Sequence, residues 1–380
     1  MKKGKFNIVI GAQAGSESKG KLAAFLANKF NPDILAMAAS PNAGHTAYVN
    51  GKKYVTYHLP VSYVACRDSK ICLGPSSVIN VPILMDEINA LGISPTVLNI
   101  HPRAVVIKRS YLQKERRAGL LKIGSTNQGV GEARKEKLMR SSDITFAENV
   151  VDLKSYIADT VDIINVSLKR EMTVLCEMTQ GFDLDLEHGI DPRFCTSKMI
   201  NPSMAMAEAG VPPSMIGDIY GVLRPYPIRV NNREGSSGPY AGSAEITWGE
   251  VAERCGYKGK ETLEELTTTT KLLRRVFEFN TQRFLRFMDI CRPTILCLQF
   301  ANYINWGDYC KNKWEDLSRP TRSFVYKLEH LGEVRVVYIG TGPQHEHMVD
   351  RLVEITWGGG EDLGGNDEDS KGDSTLERGI

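Results

Sequence analysis

Gly15-Ser16-Glu17-Ser18-Lys19-Gly20-Lys21 has the G-x-x-x-x-G-K spacing of a phosphate-binding loop. The apolar run FNIVIG before it reads as a buried strand, and KGKLAAFLANKF after it carries Leu22, Leu26 and Phe30 at helical spacing. A loop in that setting offers backbone N–H groups and a helix N-terminus to phosphate oxygens, while lysine neutralises their charge. The plainer alternative is a βα turn with two exposed lysines. Leu22 stands where a serine or threonine would hold magnesium. Mg²⁺ would then need the Ser16 hydroxyl, backbone carbonyls and the phosphates.

Other segments could share that chemistry. Asn42-Ala43-Gly44-His45-Thr46 follows the next buried strand, DILAMAAS, so it should open on the same carboxyl edge of a sheet. There His45 could give a proton or hydrogen bond to a developing negative oxygen; the alternative is a surface histidine. Gly124 to Gly131 supplies flexible backbone with Ser125, Thr126, Asn127 and Gln128, suited to a second phosphate or to a mobile loop. Gln180-Gly181 ends the apolar run MTVLCEMTQG, and an amide there can read a purine face through paired donor and acceptor. LTTTTKLLRR (266–275) sets hydroxyls before a basic stretch, suited to a carboxylate ligand or to a plain helix N-cap. GTGP (340–343) follows another strand and could pack on a nucleotide base or merely turn the chain.

Strands and helices interleave along the whole length. KKYVTYHL (52–59), RAVVIK, PTILCLQF (293–300) and EVRVVYIGTGP (333–343) read as strands, and 81–92, 111–121, 151–170, 214–223 and 272–290 as helices. The pattern predicts an α/β fold with a mostly parallel sheet covered on both faces. Without a composition break, residues 1–356 read as a single domain. The segment 231–243 reads as an exposed loop, and the Gly- and Asp-rich residues 357–380 as a disordered tail. A net charge of +2 argues against a dedicated nucleic-acid binder, and the basic stretches at 108–117 and 132–140 read as solvated helix faces. No apolar run reaches the roughly 18 residues of a membrane helix. Eight cysteines without metal-ligand spacing, and no signal peptide, point to free thiols in the cytoplasm.

Taken in order, GAQAGSESKGK, NAGHT, IGSTNQGVG with Arg140, TQGFDLDLEHGIDPRFCTS, YPIRV and YIGTGP resemble the adenylosuccinate synthetase family from residue 5 to about 355. The resemblance implies a homodimeric ligase with a parallel-sheet α/β fold. Such enzymes use a nucleoside triphosphate and Mg²⁺ to phosphorylate the 6-oxygen of a purine nucleotide, which L-aspartate then displaces. By position, Gly15 to Lys21 and Gly44 to Thr46 would bind nucleotide phosphates, with Lys19 catalytic. His45 would be the acid near the 6-oxygen, and Ser16 and the Gly44 carbonyl would meet magnesium. Asn42, Ser125, Thr126, Gln180, Thr196 and a cross-subunit Arg140 would contact the purine monophosphate. Thr267, Thr268, Thr269 and Thr270, with Arg274 and Arg275, would hold aspartate; Gln299, Asn302, Gly340, Thr341 and Gly342 would line the donor base.

Three departures stand out. The family loop has aspartate where this chain has Ser16, and that carboxylate takes the N1 proton of inosinate and binds magnesium. A serine hydroxyl is too weak an acid to serve as a ready base. The proton would have to pass to Glu17, water or phosphate, or the substrate would have to differ. Guanine carries a 2-amino group beside N1, and serine leaves it room that aspartate would fill. GTP-using members also carry Lys-x-Asp where this chain reads Phe300-Ala301-Asn302, so guanine would lose its charge-assisted partner and Gln299 or Asn302 could serve adenine. Finally, the arginine that touches the ribose 2′-hydroxyl falls at Leu272, which would favour deoxyribose. Together these resemble the phage branch of the family, implying dGMP, L-aspartate and ATP or dATP as substrates. The alternatives are a conventional member using IMP and GTP, and a nucleotide-binding regulator that does not catalyse.

Overall fold

The structure is a computed structural model, which describes residues 1–232, 234–240, 242–260, 262–267 and 271–352. The 357–380 tail lies outside them. So do Thr268, Thr269 and Thr270, three of the residues expected to hold aspartate. Nine strands among the described residues form the main sheet. Their order is Met348–Asp350, Val336–Gly340, Ile295–Leu298, Ile216–Leu223, Phe6–Gly11, Val174–Gly181, Ile34–Met37, Lys70–Leu73 and Leu98–Ile100. Every pairing is parallel except that of Met348–Asp350, which runs antiparallel along one edge.

Phe6–Gly11 sits at the centre because it is apolar on both faces. Phe6, Ile8 and Ile10 pack with Phe182, Phe287 and Leu298 on one side, while Val9 meets Leu22, Leu26 and Tyr220 on the other. Each such fully buried side chain contributes about 1.5–3 kcal/mol. Its neighbours are Val174–Gly181 and Ile216–Leu223, so the loops after all three strands converge at one carboxyl edge. The mostly parallel sheet is thus as expected.

Several elements differ from the expectation. The expected helix at 214–223 is the strand Ile216–Leu223, at the heart of the sheet. A short apolar run has no period that separates strand from helix, and Gly221 fits here because Phe287 and Pro293 press on its backbone. The 151–170 helix is broken into a 3₁₀ turn, Val151–Tyr156, and a helix, Thr160–Lys169, capped by the Asp159 carboxylate. Residues 272–290 divide into the strand Arg275–Phe277 and the helix Thr281–Cys291, with Asn280 as N-cap. RAVVIK yields only Val105–Val106, paired with Val78–Ile79 outside the main sheet. In the 231–243 loop Ser237, Gly238 and Tyr240 are buried, and Tyr240 stacks on Phe277 and donates to the Asp183 carboxylate.

Two smaller sheets wall the carboxyl edge. His45–Val49 and Lys52–Thr56 form an antiparallel hairpin. It lies so close to the first helix, Lys19–Phe30, that a Cβ on Gly20 would meet the Thr46 carbonyl at 2.8 Å and Val61 at 2.7 Å. Opposite, Arg275–Phe277 is sandwiched antiparallel between Ile228–Arg229 and Glu245–Ile246.

Candidate active site

The carboxyl edge opens on a cleft of about 900 Å³. At its floor is the loop after Phe6–Gly11, where Gly15, Ser16 and Ser18 have φ of 93°, 58° and 63°. Left-handed residues set beside ordinary ones, as Ser16 and Ser18 are about Glu17, turn backbone N–H groups towards one concavity, the form of an anion nest. What holds that shape is Glu17. Its carboxylate is fully buried and accepts from the amides of Gln13 (3.2 Å) and Gly15 (2.8 Å) and from the Lys19 ammonium (2.6 Å). Gly11 and Gly181 flank it, and a Cβ on either would come within 2.6 and 2.5 Å of its oxygens. Glu17 is therefore a strut of the loop; its side chain does not offer itself to phosphate or to a substrate proton.

Lys21 also differs from the expectation of a free phosphate ligand. Its Nζ donates to the carbonyls of Gly342 (2.6 Å) and His347 (2.9 Å), tying the helix start to the 340–347 turn. Burial pushes its pKa down to about 7. The Thr341 hydroxyl, expected at the donor base, is buried and donates to the Lys311 carbonyl (2.5 Å). Gly340 packs on Gln299 and Lys21, leaving Gly342 and Pro343 as the residues of that turn on the cleft.

His45 opens a strand rather than lying in a loop, so its ring is fixed. Its Nδ1 lies 2.6 Å from an oxygen of Glu177, a wholly buried carboxylate on the strand Val174–Gly181 that also accepts from the Ser62 hydroxyl (3.2 Å). With Nδ1 held by Glu177, Nε2 is the ring atom left to serve a ligand. Glu177 escaped the sequence reading, although a carboxylate inside the apolar run VLCEM was a signal, since a buried charge needs a partner. Three residues on, Gln180 takes φ 66° where the strand's register breaks and lines the cleft.

Along one wall lie Asn42, Gly44, Thr46, Ser125, Thr126 and Thr196. The Thr126 hydroxyl donates to the Asn42 carbonyl oxygen (3.0 Å), joining the two loops. Glu115 is buried under the second loop and accepts from the amides of Gly129 (2.8 Å) and Gly131 (2.9 Å). On the other wall lie Arg274, Gln299, Phe300 and Asn302. Arg275 is turned to Glu245, Ser237 and Gly238, so it braces the smaller sheet instead of facing an aspartate ligand. Of the threonine run expected beside it, Thr267 alone is described; Thr268, Thr269 and Thr270 fall outside the described residues. Leu272 is half-buried away from the cleft, its amide on the Thr267 hydroxyl (2.9 Å), and gives no reading of the sugar. Arg140 is exposed beyond the cleft of its own chain, beside Leu138 and Met139, which are 81% and 71% exposed.

No group of three or more His, Cys, Asp or Glu among the described residues could hold a metal ion. With Glu17 sealed away, the loop offers the cleft the hydroxyls of Ser16 and Ser18, and the neighbouring 42–46 segment the Gly44 carbonyl, with no carboxylate among them. Such a sparse set fits Mg²⁺ only as an ion carried largely by phosphates, which is a common mode for that cation. No helix among the described residues is long and apolar enough to cross a membrane.

The model of the adenylosuccinate synthetase family matches residues 8–148 and 144–304. The chain is 33% identical to the N6-succino-2-amino-2′-deoxyadenylate synthase of Vibrio phage phiVC8, over 89% of this chain and 95% of that protein. It is 30% identical to the adenylosuccinate synthetase of Thermococcus onnurineus (strain NA1), over 90% and 98%. The solved structure of the cyanophage S-2L succinoaminodeoxyadenylate synthetase, bound to dGMP and dATP as an energy donor, matches with a TM-score of 0.78 at 29% identity, over 91% and 95%.

Two measurements check this geometry. Glu177→Gln should lower kcat by about 10²- to 10⁴-fold with nucleotide KM little changed, the loss expected when a proton donor is no longer held; an unchanged kcat would remove the dyad from the chemistry. Between about pH 7 and the ordinary lysine range, the unfolded chain holds a proton on residue 21 that the folded chain has released. This group's contribution to stability therefore rises with pH across that window. Urea midpoints measured from pH 7 to 9 should climb more steeply in the parent than in Lys21→Met, and parallel curves would show that Lys21 stays charged.

Proposed function

The chain belongs to the adenylosuccinate synthetase family, and from that premise we propose that it joins dGMP to L-aspartate using ATP or dATP. It is a carbon–nitrogen ligase; the choice of substrates is the new claim. Identities of 33% and 30% to the two branches lie too close to decide it. The observation that carries it is the purine end of the cleft, where Ser16 replaces the family's aspartate and the adjoining Glu17 carboxylate is sealed inside. A guanine 2-amino group then has room beside a short hydroxyl. The dGMP and dATP in the cyanophage structure support both the deoxyribose and the adenine donor. Asn302, on the cleft wall where GTP-using members carry a carboxylate, suits adenine's donor and acceptor pair, while the buried Gln299 amide nitrogen is turned to Met348.

In this reading the 6-oxygen of dGMP attacks the γ-phosphorus, the bond to the β-bridging oxygen breaks, and ADP leaves. The N1 proton departs to water or a phosphate oxygen, since Glu17 is occupied. The amine of aspartate then attacks C6, the C6–O bond breaks, and inorganic phosphate leaves as the amine loses its proton. His45, oriented by Glu177, donates a hydrogen bond from Nε2 to the oxygen on which charge develops, and the Gln180 amide fixes the purine edge. Lys19 and the amides of residues 16–18 hold the transferring phosphoryl group, the Gly15 amide being spent on Glu17. Mg²⁺, when bound, supplies further neutralisation of phosphate charge. Arg274 receives a carboxylate of aspartate; Arg140 reaches the monophosphate of the second subunit in a homodimer, with Leu138 and Met139 covered there.

With Mg²⁺, aspartate and ATP, the purified protein should release ADP with dGMP and little with IMP; the opposite preference would overturn the assignment. Ser16→Asp should lower kcat/KM for dGMP by roughly 10- to 200-fold, the range for a crowded pocket. A conventional enzyme would instead gain activity from that change.

A further inference from the structure

Arg224 follows the central strand Ile216–Leu223, and its side chain is wholly buried. Its guanidinium grips Glu265 with two nitrogens, Nη2 at 2.5 Å and Nη1 at 3.1 Å. Nη1 also donates to the carbonyl of Ser16 at 3.3 Å, and the plane of the group lies 4.0 Å from the ring centre of Phe300. The Arg224 backbone is pinned in turn, exchanging hydrogen bonds with the Gln13 side-chain amide (2.9 and 3.0 Å). Glu265 is shared, because Arg274 donates to its second oxygen at 2.5 Å. Two guanidiniums on one carboxylate leave one positive charge in excess at this wall.

Each contact of Arg224 therefore ends in a different arm of the cleft. Ser16 belongs to the purine and phosphate loop, Glu265 and Arg274 to the aspartate arm, and Phe300 to the donor arm. We propose that Arg224 is a positioning residue that couples the three arms, so that filling one alters the hold on the others; this rests on the proposed assignment of those arms. A carboxylate arriving on Arg274 competes with Glu265 for that cation. Glu265 then leans more fully on Arg224, whose position fixes both the Ser16 carbonyl and the Phe300 ring. Only a planar group with five donors can serve two acceptors and an aromatic face together, so lysine is no substitute.

Calorimetry tests this without requiring turnover. The affinity for a non-hydrolysable ATP analogue with Mg²⁺ is measured alone and then with aspartate and a purine monophosphate, dGMP or IMP in separate arms. The parent should bind the analogue about fivefold or more tightly in the presence of the other two, the scale of ordinary coupling between sites. Arg224→Lys and Phe300→Leu should bring that ratio close to one, while Phe300→Tyr, which keeps the aromatic face, retains it. Coupling with IMP but not dGMP would sink the guanylate assignment and leave the Arg224 proposal standing. If Arg224→Lys does not fold, Phe300→Leu carries the test. A parent without coupling in either arm, or a Phe300→Leu protein that keeps it, would overturn the proposal.

Discussion

The Glu17 carboxylate, shut off from water beneath the loop at residues 12–18, accepts from the Gln13 and Gly15 amides and pairs with Lys19, and the geometry of the cleft is set from the loop it fixes. Removing one partner of such a buried charge costs about 3–5 kcal/mol, because the other is left without compensation. The strain of Ser16 and Ser18 at positive φ is held by that arrangement. The terminal glycines of two neighbouring strands make the space for it, so the central sheet and the loop are parts of one construction.

The same device recurs around the cleft. Glu115 carries the amides of Gly129 and Gly131, Glu87 those of His58 and Leu59, and Glu177 orients His45. Burial alone would raise the Glu265 pKa, but Arg224 and Arg274 outweigh it and hold the carboxyl down at about 2. Apart from Glu264, which is exposed on the cleft lining, these carboxylates are thus tied up under its walls. Backbone amides, hydroxyls and a small excess of positive charge remain on the inner surface, which suits anionic ligands.

How much of this was legible in the sequence follows from physics. The first strand, the first helix and the glycine-bearing loop between them were, because apolar periodicity and glycine spacing are local signals. Gly20 in the motif is explained by the hairpin it touches, a contact no local pattern could display. Ile216–Leu223 read as a helix because eight mostly apolar residues fit either element, and only pairing on both sides decides. Arg275 and Thr341 carried the right residue types beside the right motifs, yet their donors are taken up by neighbours. Glu177, Arg224 and Glu265 went unnoticed for the converse reason. Their importance lies in partners 132, 208 and 41 positions away.

The contact between Gly20 and the Thr46 carbonyl has a mechanical meaning. No side chain cushions the helix start from the hairpin that bears His45, so the anion nest and the imidazole share a single rigid plate. A shift of the helix start therefore presses on the hairpin backbone directly, with no flexible side chain between to absorb it. Any larger residue at position 20 would have to push the hairpin, and His45 with it, away from the loop.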